Sequence, residues 1–381
     1  MDIVYFDNSA TTKPHREVID EVAGCMECCY ANPSSAHGLG LAAEKKLRTA
    51  RERVAGLINA RPQEVFFTSG GSESNNTAIL GVVEKGDHII TSAIEHPSVM
   101  KLLNSLERSG FEVTYLKVDK AGLIDPQELE ASIRDNTRLV TVMHVNNEIG
   151  SIQPLNEIVA IVRRRSRRIR IHVDAVQSYG KLDIDVRKLD IDMLSCSAHK
   201  IHGPKGTGAL YIKSGLRPRP LIMGGGQEAD LRSGTENVPG ISGFGLAADM
   251  AGRDMEHRRT QVRSIKEYFI SRLQEIDGVV INSPADGVHI PYILNAVFEG
   301  LRGEVLLHAL EDYKIYVSTG SACSAKKAAD KNYVLPAIGI PEKLAEGVIR
   351  FSFSYANTKE EVDYTMEALK KTIPFLRRIK K

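Results

Sequence analysis

The sequence predicts an α/β protein built on a mostly parallel sheet, and three observations carry that prediction. Apolar, β-favouring runs at 64–68, 88–92, 113–118, 139–145 and 169–173 alternate with helix-like segments, the rhythm of βαβ units. Several of these runs end in small polar or glycine-rich turns ahead of a helix, such as Ser69-Gly70-Gly71-Ser72. Past residue 276 the rhythm changes to shorter strands at 293–298 and 348–353, which predicts a second, smaller α+β unit. The boundary is expected inside the helical stretch 241–276, near residue 255. That gives a large domain over 15–255 and a small one formed by 1–14 with 256–381.

The chain has 381 residues, ample for a large core and for roughly two to three domains. Hydrophobic residues at 42% and charged residues at 26% are ordinary for a globular chain. A formal net charge of +2 points neither toward nor away from nucleic acid, and no direct nucleic-acid contact is expected. No apolar run is long enough to span a bilayer, and the acidic start Met1–Asp7 lacks the layout of a secretory signal. Five cysteines do not suggest a disulfide framework. The expectation is a reduced, cytoplasmic protein without a membrane span.

In chain order, Asp7 to Thr12 is small and polar, a turn or loop. Residues 15–30 read as a helix that sets Cys25, Cys28 and Cys29 on one face. Such a cluster is either a metal or redox site or a small apolar lining. No fourth ligand stands nearby, so lining is favoured and no metal is expected. A loop leads to a long helix over 39–59. Sites on parallel sheets lie at the carboxyl ends of the strands, and that rule selects the loops of interest. Gly70–Ser72 precede a helix, where backbone N–H groups close around phosphate. His96 follows the second run as a base, a ring-stacking group or an ordinary helix-start histidine. Asn146-Asn147-Glu148 follow the fourth, and Asp174 ends the fifth. A buried carboxylate there needs a cation or a donor.

The run Arg163–Arg170 is either a contact for RNA or an acidic partner, or a solvated helix end, where positive charge suits the dipole. Lys200 lies in Ser195–Gly208, between an apolar run that ends at 192–194 and another at 209–212. Desolvation there favours the neutral amine, which bonds covalently with an aldehyde. The ordinary alternative for a lone lysine is snorkelling to the surface. Ser197 and His199 flank it as anion donors. Ser318–Asp330 is small and charged, and is expected to be an exposed, mobile loop. Its Cys323, with Lys326 and Lys327 nearby, ionises more readily than a buried thiol; the alternative is a spectator thiol. Arg350, in an apolar strand, needs an anionic partner, either a structural carboxylate or a substrate's.

Taken together, Thr68–Ser74, Glu95-His96, Asn146–Gly150, His172–Ser178, Ser197-Ala198-His199-Lys200, Arg232–Thr235, Gly320–Cys323 and Ile349–Ser352 resemble the cysteine desulfurases of the NifS/IscS type. These belong to the class V aminotransferase-like branch of fold-type I pyridoxal-phosphate enzymes. The resemblance runs nearly end to end. It implies a large cofactor domain with a seven-stranded, mostly parallel sheet sandwiched by helices, beside the smaller domain. It implies pyridoxal 5'-phosphate as cofactor, with Lys200 as the lysine bonded to its aldehyde carbon. Asp174 would pair with the pyridine nitrogen, and Gln177 would bond the phenolic oxygen. His96 would stack on the ring and shuttle protons. Gly71, Ser72, Ser197 and His199 would hold the phosphate, and Thr235 would reach the phosphate of a neighbouring subunit in a homodimer. Asn147, counted among the cofactor residues too, and Arg350 would orient the substrate carboxylate. Cys323 would be the nucleophile.

The resemblance further implies L-cysteine as substrate, L-alanine as product and a persulfide on Cys323. The sulfur acceptor would be an iron–sulfur scaffold of the IscU/NifU kind or a tRNA-thiolation enzyme. The Cys25/Cys28/Cys29 cluster is not a family feature. Two other readings compete: a selenocysteine lyase or aminotransferase of the same branch, and a non-catalytic scaffold. The thiol-bearing loop argues against a plain aminotransferase, and Lys200, Asp174, His96 and Arg350 argue against a scaffold.

Overall fold

A computed structural model describes residues 3–319 and 332–379. Twelve strands and thirteen α-helices are described. The strands are β1 (Val4–Tyr5), β2 (Val65–Thr68), β3 (His88–Ser92), β4 (Glu112–Leu116), β5 (Thr137–Met143), β6 (Arg170–Asp174), β7 (Met193–Ser197), β8 (Gly208–Ile212), β9 (Val279–Ile281), β10 (Ile293–Phe298), β11 (Ile315–Tyr316) and β12 (Val348–Ser352). The helices are α1 (Arg16–Cys28), α2 (Gly38–Gly56), α3 (Gly71–Leu80), α4 (Pro97–Arg108), α5 (Pro126–Ser132), α6 (Leu155–Arg165), α7 (Val186–Leu189), α8 (Val238–Arg253), α9 (Met255–Leu273), α10 (Gly303–Glu311), α11 (Val334–Ala337), α12 (Glu342–Ala345) and α13 (Lys359–Ile379).

The main sheet has seven strands in the order β2-β8-β7-β6-β5-β3-β4. Only β8 runs antiparallel to its neighbours. The α/β expectation holds, and the physical reason is visible in β3, β7 and β8: every residue is buried, as required of strands covered on both faces. One face packs on α2, α6 and α8 through Leu47, Val54, Ile158, Val162, Phe244 and Ala247, and the other on α3 and α4 through Ile79, Val99 and Leu103.

The smaller sheet, β12-β10-β9, is antiparallel and lies against α9 and α13 through Phe269, Phe351, Val362 and Leu369. The N-terminal strand β1 pairs in parallel with β11, and Phe6 is buried among Phe269, Phe351 and Phe353. The single long helix expected over 241–276 is two helices. The chain breaks at Asp254 (φ −132°, ψ 28°), the residue that precedes α9.

Of the arginine run closing α6, Arg163 turns inward, whereas Arg164, Arg165 and Arg167 stay exposed. Arg163 pairs with Asp192 at 2.7 Å and donates to the carbonyls of Ile169 and Asp190, while Arg164 reaches Glu130. Cys25 is buried, Cys29 packs partly on the core and Cys28 is exposed. The lining role therefore fits two of the three.

Candidate active site

Strands β2 through β7 of the main sheet all end at one edge, and β8 starts there. The register aligns Ser197 with Gly208 and Gly208 with Thr68, so the loops after β2 and β7 meet. Gly208 is required at that crossing. A Cβ would stand 2.6 Å from the Gly70 Cα and 2.8 Å from the Cys196 carbonyl oxygen, both backbone atoms. Gly70, at φ 152° and ψ −177°, turns the chain into α3.

Beside that turn lies a cavity of about 420 Å³, lined by Ser69, Gly71, Ser72, Ser197, His199 and Lys205 among others. The first-turn N–H groups of α3 have no partners within the helix, and the helix dipole favours an anion at that end. Burial, aided by Lys200, pushes the His199 imidazole down to about 4. It is a neutral donor or acceptor there, and its Nδ1 lies 3.2 Å from the Thr11 hydroxyl.

Lys200 ends a single 3₁₀ turn, Ala198–Lys200, directly after β7. It is half-buried, and its Nζ donates to the carbonyls of Ser9 and Ala10, the latter at 2.8 Å. The Ser9 carbonyl also accepts from Gln177 Nε2 at 2.8 Å. Thr12 is bonded to the carbonyl of His199 by both its N–H and its hydroxyl. The N-terminal tract read as a turn is thus a strap laid across the lysine loop.

Asp174 ends β6 in a buried position. One carboxylate oxygen accepts from Asn75 Nδ2 at 2.7 Å, the other from the Val176 N–H at 3.0 Å. Among the described residues no cation forms an ion pair with it. His96 caps α4, its Nδ1 accepting from the Ser98 N–H at 3.1 Å, and burial lowers its affinity for a proton. Gln177 is buried and accepts at Oε1 from Lys181 Nζ at 3.3 Å. Burial, with Lys200 near, pushes that amine down to about 7.

Arg350 has two carboxylate neighbours within the chain. Its Nη2 donates to Asp7 Oδ1 and its Nη1 to Glu148 Oε1, each at 3.0 Å. Asn147 stands beside it and donates to Glu148 Oε1 at 2.7 Å. Thr235 is exposed and does not line the cavity within this chain. Cys323, Lys326 and Lys327 lie outside the described residues. Backbone bonds join Ser318, five residues before Cys323, to Arg350.

Sequence reasoning missed Asn75, Asp7, Glu148, Lys181 and the Ser9 carbonyl. Glu148 stood inside a recognised motif and Asp7 in a polar tract. Nothing local distinguishes Asn75 or Lys181, whose partners lie on other elements or one helical turn away.

The class-V aminotransferase profile matches residues 4–365. The chain is 42% identical to the cysteine desulfurase IscS of Dictyoglomus turgidum over 381 residues, covering 99% of this chain and 96% of that one. It is 42% identical to IscS of Methanosarcina thermophila over 378 residues, covering 98% and 93%. A solved NifS-like protein superposes with a TM-score of 0.93 at 39% identity, covering 98% of this chain and all of that one. An apo cysteine desulfurase of Thermococcus onnurineus does so at 0.88 and 27% identity, covering 98% and 95%.

Proposed function

The chain belongs to the class-V aminotransferase family and is a pyridoxal 5'-phosphate-dependent cysteine desulfurase, and from that premise we propose which of its residues perform the reaction. The observation that carries the assignment is the convergence at one sheet edge of Lys200, buried Asp174 and the cavity at the start of α3.

The residues suit the cofactor. The cavity offers a helix N-terminus and the Ser72, Ser197 and His199 side chains to a phosphate. Asp174, buried with two donors and no ion pair among the described residues, suits a protonated ring nitrogen. Bound there, pyridoxal phosphate supplies an electron sink for the pair released from the amino acid's α-carbon.

Gly71, Ser72, Ser197 and His199 hold the phosphate, with Thr235 reaching that of a partner subunit. Asp174 keeps the ring nitrogen protonated, and Gln177 bonds the phenolic oxygen. His96 covers the ring face and moves protons. Lys200, the point of covalent attachment, acts as base at the substrate α-carbon once displaced. Arg350 and Asn147 orient the carboxylate of L-cysteine. The Cys323 thiolate attacks the substrate sulfur, an S–S bond forms, and the C–S bond breaks with its electron pair leaving on carbon. L-alanine departs and Cys323 keeps the sulfur as a persulfide for an acceptor.

The proposal extends to organisation. Residues 15–255 form the cofactor domain, and 1–14 with 256–381 the smaller one. The β1–β11 pairing and the break at Asp254 support that division. Exposed Ile19, Met26, Tyr30, Leu39 and Leu41 support a homodimer. No helix among the described residues is long and apolar enough to cross a membrane, which suits a cytoplasmic enzyme. The acceptor is an iron–sulfur scaffold or a tRNA-thiolation enzyme.

Borohydride trapping followed by peptide mapping tests the lysine: the adduct falls on Lys200 and is lost in Lys200→Ala. Cys323→Ala keeps the cofactor's colour and loses sulfide release from cysteine. Alanine formation at the wild-type rate in that variant would remove Cys323 from the mechanism.

A further inference from the structure

One guanidinium serves two carboxylates in the substrate half of the site. Arg350 pairs with Asp7 through Nη2 and with Glu148 through Nη1, each at 3.0 Å. Its Nη1 also donates to the Asn147 carbonyl at 3.0 Å. Arg350 is 5% exposed and Glu148 7%. The two Glu148 oxygens are unequal. Oε1 accepts from both Asn147 Nδ2 and Arg350 Nη1, whereas Oε2 is buried with no hydrogen-bond partner among the described residues.

A cation flanked by two carboxylates is already compensated. A third carboxylate, brought by the substrate, adds an unbalanced negative charge where water screens little. Lys200 faces the same group, but once bonded to the cofactor it cannot offset that charge as an ammonium. Among the described residues the other titratable neighbour is the Tyr333 phenol, which burial pushes above the usual range. Protonating a carboxyl relieves the excess. Glu148 suits this better than Asp7: its side chain is 9% exposed against 23%. A proton on Oε2 disturbs neither donor on Oε1. Burial raises the proton affinity of both carboxyls against the pull of Arg350.

We propose that Glu148 is a positioning residue that takes one proton from water when an amino-acid carboxylate binds Arg350. An O–H bond forms at Oε2 as the bond holding that proton on hydronium or a buffer acid breaks, its electron pair staying on the donor. The proposal rests on the reading of Arg350 as carboxylate anchor given above. Carboxylate affinity should therefore fall as pH rises, by about tenfold per unit while Glu148 is ionised in the free enzyme.

The test uses the holoenzyme and propionate, a carboxylate with neither amine nor thiol. Proton uptake is read with an indicator in weak buffer, and affinity by calorimetry across a pH series. Wild type should take up one proton per propionate bound. Glu148→Gln should bind with no uptake and little pH dependence, and Asp7→Asn, which removes one of the competing negative charges, should take up less than wild type. Zero uptake in wild type overturns the proposal even if no variant folds, as does uptake that survives in Glu148→Gln or vanishes only in Asp7→Asn. Arg350→Gln separates the two readings. If it binds propionate as tightly as wild type, the anchor reading fails. If it loses binding while wild type takes up no proton, only the role of Glu148 fails.

Discussion

Asn75 Nδ2 donates to the Asp174 carboxylate at 2.7 Å, and the same nitrogen lies 2.9 Å from the Ser98 hydroxyl. One amide on α3 thereby holds the acid at the end of β6 and touches the start of α4. Asn75→Leu should leave that carboxylate with one donor fewer in a buried place, a loss of roughly 1–3 kcal/mol. The measurements are urea unfolding and the rate at which the cofactor dissociates, followed by its visible absorbance. Both should worsen, and unchanged dissociation would show that Asp174 is held by other means.

Gly208→Ala should disturb the site from a distance. The added carbon meets backbone at Gly70 and Cys196, and backbone cannot swing aside as a flexible side chain can. A cost of roughly 1–3 kcal/mol is expected, with weaker cofactor binding because the turn before α3 shifts. Titrating the apoenzyme with cofactor checks it.

Lys266 is fully buried in α9, with Nζ donating to the Ile290 carbonyl at 3.2 Å. Burial pushes its amine from 10.5 down to about 7. The unfolded chain then binds more protons than the folded one between those two values, so this group makes stability rise with pH across that window. Lys266→Met should flatten the rise, by at most about 1.4 kcal/mol per pH unit. Urea midpoints at several pH values decide it.

Glu95 contributes with the opposite sign. Burial raises its carboxyl from 4.5 to about 8, despite hydrogen bonds from Ser92 and the Met143 N–H. The folded state holds the proton longer than the unfolded one, so stability falls as pH rises between those values. Glu95→Gln keeps a carbonyl acceptor and removes the titration. Its stability relative to wild type should climb with pH over that window, measured by the same unfolding series.

Much of this is legible in the sequence. The runs at 88–92, 139–145 and 169–173 are strands within a residue or two, because a strand covered on both faces carries adjacent apolar residues such as Ile89-Ile90 and Leu139-Val140. The motif residues Gly71, Ser72, Ser197 and His199 border one cavity, because the carboxyl ends of parallel strands gather on one edge. The helical pattern over 241–276 covers two helices. Its apolar pattern continues past Asp254, while the backbone turns there.

The sequence by itself determined the α/β class, the loops that carry chemistry and the residue types available for it, since periodicity and turn composition are local properties. The tertiary structure decided the partners. It laid Ser9 and Ala10 over Lys200, set Asn75 on Asp174, and gave Arg350 two carboxylates, one from residue 7 and one from residue 148. Those contacts join segments far apart in the chain, and a buried charge accepts whichever counter-charge the packing brings to it, which no local pattern encodes.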